Sequence, residues 1–174
     1  LILDINTLLS SNQALTVTAV STGVYDVAGL GVNVPATNIT GIANGAAAPM
    51  GNDIGTGGPS SASPPQLGVI VGTAFAAAGA ATMQIQLQAA VDAGNGVPGA
   101  WDTIVETDTI AVALLTAGAM PAKFVVPERY LGQGFPRFYR LNYVIATGPM
   151  LTGSIVFAGL LTGLDSNPLY PANY

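Results

Sequence analysis

Thr82-Met83-Gln84-Ile85-Gln86-Leu87-Gln88-Ala89-Ala90-Val91 alternates apolar and amide side chains along its length. Met83, Ile85, Leu87, Ala89 and Val91 share one parity; Thr82, Gln84, Gln86 and Gln88 share the other. Successive side chains of a strand point to opposite faces, so this period of two predicts a strand with one core face and one uncharged polar face. The amides can hydrogen-bond to a facing protein or to water.

The same period recurs on both sides. Leu67, Val69, Val71 and Phe75 oppose Gly68, Ile70 and Gly72. Tyr139, Leu141, Tyr143 and Ile145 oppose Arg140, Asn142 and Val144. Ile155, Phe157 and Leu161 oppose Ser154, Val156 and Ala158. Shorter candidates are 15–20, 24–27, 101–105, 110–114 and 123–126. Turn residues separate them: Ala78-Gly79-Ala80, Asp92-Ala93-Gly94-Asn95-Gly96 and Gly148-Pro149. The stretch from Leu3 to Ala14 has room for one helical turn. Eight or so short strands with regular turns predict an all-β sandwich or barrel. The 174 residues fit one domain, 1–174.

Two segments break the pattern. About a third of residues 28–65 are Gly or Pro. Yet Leu30, Val32, Val34, Ile39, Ile42 and Ile54 recur through it, more apolar residues than a disordered linker carries. This predicts an ordered excursion laid over something. The tail, 163–174, contains Pro168-Leu169-Tyr170-Pro171 and ends in Tyr174, which predicts an extended arm with aromatic anchors. A compact sandwich needs neither segment. Asn52, Asp53, Ile54, Leu169, Tyr170 and Tyr174 are therefore the candidate contact residues toward a partner or a second subunit.

Charge is scarce: 7% of residues are charged, against about 25% in a typical domain. A free monomer holds its neighbours off with a charged surface, so much of this surface is expected to be covered in the working state. The net charge is −5, with Lys123, Arg129, Arg137 and Arg140 the only bases. That is too few for a nucleic-acid partner, which requires a basic stripe. From Leu67 to Met83 no charge appears, but the stretch is short, rich in Gly and Thr and without basic flanks. It reads as a strand, a turn and the start of the next strand, with no membrane partner expected.

The sequence contains no His and no Cys. Ser-His-Asp and Cys-His catalysis cannot be built from it, and the usual ligands of transition metals are missing. Asp102, Glu106 and Asp108 share parity on a predicted strand, which could suit a paired-carboxylate site or a calcium ion. A solvated acidic edge that deters strand pairing is the plainer reading. Asn52-Asp53-Ile54-Gly55-Thr56-Gly57-Gly58-Pro59 is Gly-rich but lacks the Gly-Lys-Ser/Thr ending of a phosphate loop. Trp101 and the tyrosines could offer a sugar platform, although Tyr139 and Tyr143 sit on a core face. No catalytic residue, metal or cofactor is expected, and the chain is not expected to be an enzyme.

Several stretches together resemble the jelly-roll capsid cement, or decoration, proteins of tailed bacteriophages. These are the opening Leu1-Ile2-Leu3-Asp4, Val24-Tyr25-Asp26-Val27, Asp53-Ile54-Gly55-Thr56-Gly57, the 83–87 strand, and Arg137-Phe138-Tyr139-Arg140-Leu141-Asn142-Tyr143 leading to 153–161. The resemblance implies a jelly-roll-like antiparallel β-sandwich with a long excursion loop and an extended C-terminal arm. It also implies a structural virion protein on the outer surface of the capsid, assembled in the host cytoplasm. The implied partners are the major capsid protein and copies of itself, as a dimer or trimer. The alternative is a receptor- or carbohydrate-binding β-sandwich module.

Overall fold

A computed structural model describes residues 8–26, 66–94, 96–125 and 136–161. Ten strands follow in order: β1 (Leu8–Ala14), β2 (Ala19–Val20), β3 (Tyr25–Asp26), β4 (Gln66–Val71), β5 (Thr82–Asp92), β6 (Pro98–Glu106), β7 (Ile110–Ala111), β8 (Ala122–Val125), β9 (Phe138–Ala146) and β10 (Ser154–Leu161). A 3-10 turn, Val112–Leu114, follows β7. The expected strand at 110–114 is thus cut to two residues, and that at 15–20 to its last two. The stretch from Leu3 to Ala14, with room for a helical turn, is strand β1 in its described part.

The strands form two antiparallel sheets, one ordered β1-β10-β4-β8 and the other β2-β9-β5-β6, with β3 also on β9 and β7 also on β5. The first strand pairs with the last, β2 and β3 with β9, β4 with β8, and β5 with β6. This is one long hairpin rolled up until β10 meets β4 and β9 meets β5. A hairpin rolled in this way is a jelly roll, a double sheet of two Greek keys. The described residues thus have the sandwich that the alternation predicted.

The core lies between the sheets and follows the predicted parity. Met83, Ile85, Leu87 and Ala89 of β5 are buried, as are Tyr139, Leu141 and Tyr143 of β9 and Leu67, Val69 and Val71 of β4. In β10 the parity changes. A register shift between Ile155 and Phe157 leaves Ile155 and Ala158 in the core cluster and turns Phe157 to the other face, opposite Ile70. The expected shared face of Ile155 and Phe157 is therefore corrected, although Phe157 too is buried. A β-bulge adds one residue to one strand and reverses alternation beyond it.

Two details fix the packing. Tyr143 Oη lies 2.9 Å from Ser10 Oγ, which donates to Gln13 Oε1 at 2.7 Å. This buried polar chain joins the sheets through β9 and β1, and Gln13 Nε2 extends it to the Val20 carbonyl. At the other contact, Gly153 has φ +142° and faces the Phe75 ring so closely that a Cβ would fall inside it. Only glycine satisfies both demands.

Gly153→Ala is therefore expected to destabilise the fold by about 2–4 kcal/mol, the sum of overpacking and backbone strain. Urea titration measures it, and a loss under about 0.5 kcal/mol would refute the packing account. Burial pushes the Tyr143 phenol well above its ordinary value. A raised folded pKa means stability that is complete below the unfolded value, about 10, and lost as pH rises above it. Tyr143→Phe is expected to cost about 1 kcal/mol at neutral pH. It should also flatten the fall in Tm above pH 10, measured as a Tm–pH series for both proteins.

Candidate functional site

The outer face of the β2-β9-β5-β6 sheet carries the amides that define the sequence pattern. Register places Val20, Asn142, Gln86 and Glu106 in one row, and Arg140, Gln88 and Thr103 in the next. Asn142 Nδ2 donates to Gln86 Oε1 at 2.8 Å, and Gln86 Nε2 donates to Glu106 Oε2 at 2.9 Å. One row on, Arg140 Nε donates to Gln88 Oε1 at 2.8 Å, and Gln88 Nε2 reaches Thr103 Oγ1 at 3.4 Å. Gln84 Nε2 donates to the Thr107 carbonyl at 3.0 Å. In the first two rows the donors run from β9 through β5 to β6.

The amides thus neither point freely at water nor wait for a partner. They are half-buried and bonded sideways, strand to strand. Sequence reasoning missed this because lateral pairing depends on register, which connects residues 52 to 56 positions apart for β5 and β9. The one available signal was the matching polar parity of Arg140 and Asn142 on a neighbouring strand. Each amide keeps further donor and acceptor capacity. The face is a stiff, mostly uncharged platform.

Trp101 lies on this same face, half-buried. The Arg140 guanidinium stacks 4.2 Å from its ring centroid, within cation–π range. Burial lowers the Arg140 pKa, and the guanidinium remains a cation at any ordinary pH. Trp101 is therefore a covered support rather than an open sugar platform. Tyr25, Tyr139 and Tyr143 are core residues.

The acidic run does not hold together as expected. A register shift between Leu87 and Gln88 places Asp102 opposite inward-facing Ala89 and Glu106 opposite outward-facing Gln86. Asp108 follows the end of β6. The shared parity is corrected by this bulge, and among the described residues no group of three acidic side chains could hold a metal ion. Glu106 instead ends an amide row. Asn52, Asp53, Ile54, Leu169, Tyr170 and Tyr174 all lie outside the described residues, as do the 28–65 excursion and the 163–174 tail.

A second polar cluster sits past the Trp101 row. Arg137 donates from Nε to Asp26 Oδ1 at 2.8 Å and from a terminal nitrogen to Asp26 Oδ2 at 2.9 Å. Its other terminal nitrogen reaches Asp92. Arg137 also lies 5.0 Å over the Phe138 ring. The clasp joins β3, the end of β5 and the approach to β9. The Gly94 amide, with help from Arg137, holds the Asp92 carboxyl below the usual carboxylate range. Asp26, in contact across 111 residues of sequence, raises the Arg137 pKa.

A lowered folded pKa means that the Asp92 contribution is present above the unfolded value, about 4, and lost as pH falls through the folded one. Asp92→Asn is expected to lower Tm at pH 7, with the difference from wild type shrinking as pH drops below about 4. A gap that stays constant from pH 7 to pH 2 would show that the carboxylate charge is not what matters.

A family model described as Bbp16 matches residues 9–158. The match begins in β1 and ends within β10. No curated protein matches the chain.

Proposed function

Starting from a chain that belongs to the Bbp16 family, we propose that it is a structural virion protein that binds the outside of a bacteriophage capsid. In this reading it bridges neighbouring major capsid subunits and works as a homo-oligomer. Contacts buried across the seams between capsid subunits raise the cost of opening the shell against the packaged genome. The protein performs no reaction, and it is assembled onto the virion in the host cytoplasm.

The observation that carries this reading is the rolled-hairpin strand order, the fold that the resemblance to capsid cement proteins implies. The outer platform is consistent with it. Laterally bonded amides are already partly desolvated and held in place, so covering them with protein costs little ordering entropy. The alternative, a carbohydrate-binding module, would be served by an open aromatic surface, and Trp101 is covered by Arg140. Asn52, Asp53, Ile54, Leu169, Tyr170 and Tyr174 stay the proposed contacts with the capsid or a second subunit.

The test is co-purification. Particles isolated on a density gradient should carry the chain at a fixed ratio to the major capsid protein. Particles lacking it should release DNA at a lower temperature. A chain that remains in the soluble fraction through particle assembly refutes the reading. Asp102→Asn combined with Glu106→Gln should leave particle binding within about twofold of wild type, since exposed edge carboxylates contribute little. A hydrolytic activity that this double variant abolishes would refute the non-enzymatic part.

A further inference from the structure

Four connections gather at one end of the sandwich: residues 15–18 between β1 and β2, 72–81 between β4 and β5, 112–121 between β7 and β8, and 147–153 between β9 and β10. Backbone hydrogen bonds lace them together. Met150 N donates to the Thr16 carbonyl at 2.8 Å, Leu151 N to Ala76 at 2.7 Å, Phe75 N to Leu115 at 3.0 Å and Leu15 N to Gly153 at 3.1 Å. The Phe75–Gly153 contact locks the centre of the arrangement. The surface is held before any partner arrives.

None of these four connections contains Asp, Glu, Lys or Arg. They do present Val17, Leu114, Met120 and Leu151, each between 43% and 67% exposed, set among small residues such as Ala74, Ala76 and Ala78. The described acids lie outside them. Asp26 and Asp92 sit in the clasp at the far end of β5, and Asp102 and Glu106 are on β6. Asp108 comes nearest, in the short link between Thr107, bonded to Ile85, and Ile110, paired with Met83.

We infer that this charge-free end is the surface through which copies of this chain associate with one another. Charge selects the partner. Each copy carries −5, and like charges brought face to face cost several kcal/mol. Two copies meeting through these four connections bury no charge, and the clasp acids stay at the far ends. A basic partner would find no carboxylate here to pair with. An anionic membrane would find no Lys or Arg, which interfacial segments use to bind it. Interface centres are depleted in charge, and a pre-organised face loses less entropy on association. A contact between identical uncharged patches is isologous and closes on itself. The inference rests on the homo-oligomer part of the proposed function and supplies its location.

Sedimentation velocity of the full chain at micromolar concentration tests it, with wild type beside Leu114→Glu, Leu151→Glu and Val97→Glu. Val97 is a control, 56% exposed in the β5–β6 turn. Wild type and Val97→Glu should sediment as the same oligomer. The two end variants should associate at least about tenfold more weakly, the loss of a centrally placed apolar contact. All are substitutions at exposed side chains, so a wild-type far-UV circular dichroism spectrum confirms folding, and Leu151→Ser replaces any Glu variant that fails to fold. End variants that remain oligomeric overturn the surface while leaving the oligomer intact. A wild type that is monomeric both alone and when released from particles overturns both. End variants that keep the oligomer but lose particle binding overturn the inference in favour of a different protein at this face.

Discussion

The β5–β9 ladder is the constraint from which the rest follows. It runs without interruption from Thr82 paired with Ala146 to Ala90 paired with Phe138. Every residue on it is assigned a face by parity alone. The inward set is Met83, Ile85, Leu87 and Ala89 against Ile145, Tyr143, Leu141 and Tyr139. The outward set is Gln84, Gln86 and Gln88 against Val144, Asn142 and Arg140. A shift of one residue would bury the amides and expose the core. The lateral amide rows and the buried Tyr143–Ser10 contact exist only in this register. The hydrophobic face and the polar face therefore specify the same pairing, which is the consistency expected of a sequence with one structure.

Few charges remain for the surface, and the described arginines are placed economically. Arg137 spans Asp26 and Asp92, while Arg140 lies over Trp101 and donates to Gln88. Each cation thus ties strands together rather than facing solvent alone. Glu106 plays the matching part on the acidic side by accepting from Gln86. What is left at the four-loop end is neutral. Among the described residues the ionic contacts lie on one sheet and at one end, and none lies at the other.

Strand existence was legible because period two is a local property. The stretches around Leu87, Leu141 and Val69 each declared an apolar face without reference to any other part of the chain. Parity past a bulge was not legible. Nothing in Ile155-Val156-Phe157 announces that an extra residue turns Phe157 outward, and nothing in Trp101–Glu106 separates Asp102 from Glu106. Bulges answer to the partner strand, not to their own residues. The clasp and the amide rows were hidden for the same reason, since Asp26 and Arg137 meet only after the roll is closed. Asn52, Asp53, Ile54, Leu169, Tyr170 and Tyr174 lie outside the described structure, whereas the four-loop end was not legible because its pieces read as separate strands and turns that only the closed roll brings together.

The rolled hairpin also sets a timetable for biosynthesis. Leu8 pairs with Gly159 and Ala14 with Ser154, so β1 has no partner in its own sheet until the last strand has left the ribosome. At about 5–20 residues per second the wait is on the order of 10–30 s. During it β5 and β6 can close locally while β1 and β4 lack their common neighbour, β10. Non-local pairing of this kind is slow in any case. A chain with so little charge to keep nascent copies apart is then at its most vulnerable to aggregation. Expression yield should accordingly be governed by how quickly β10 arrives, and slowing translation over its codons would be more harmful than slowing it over β5.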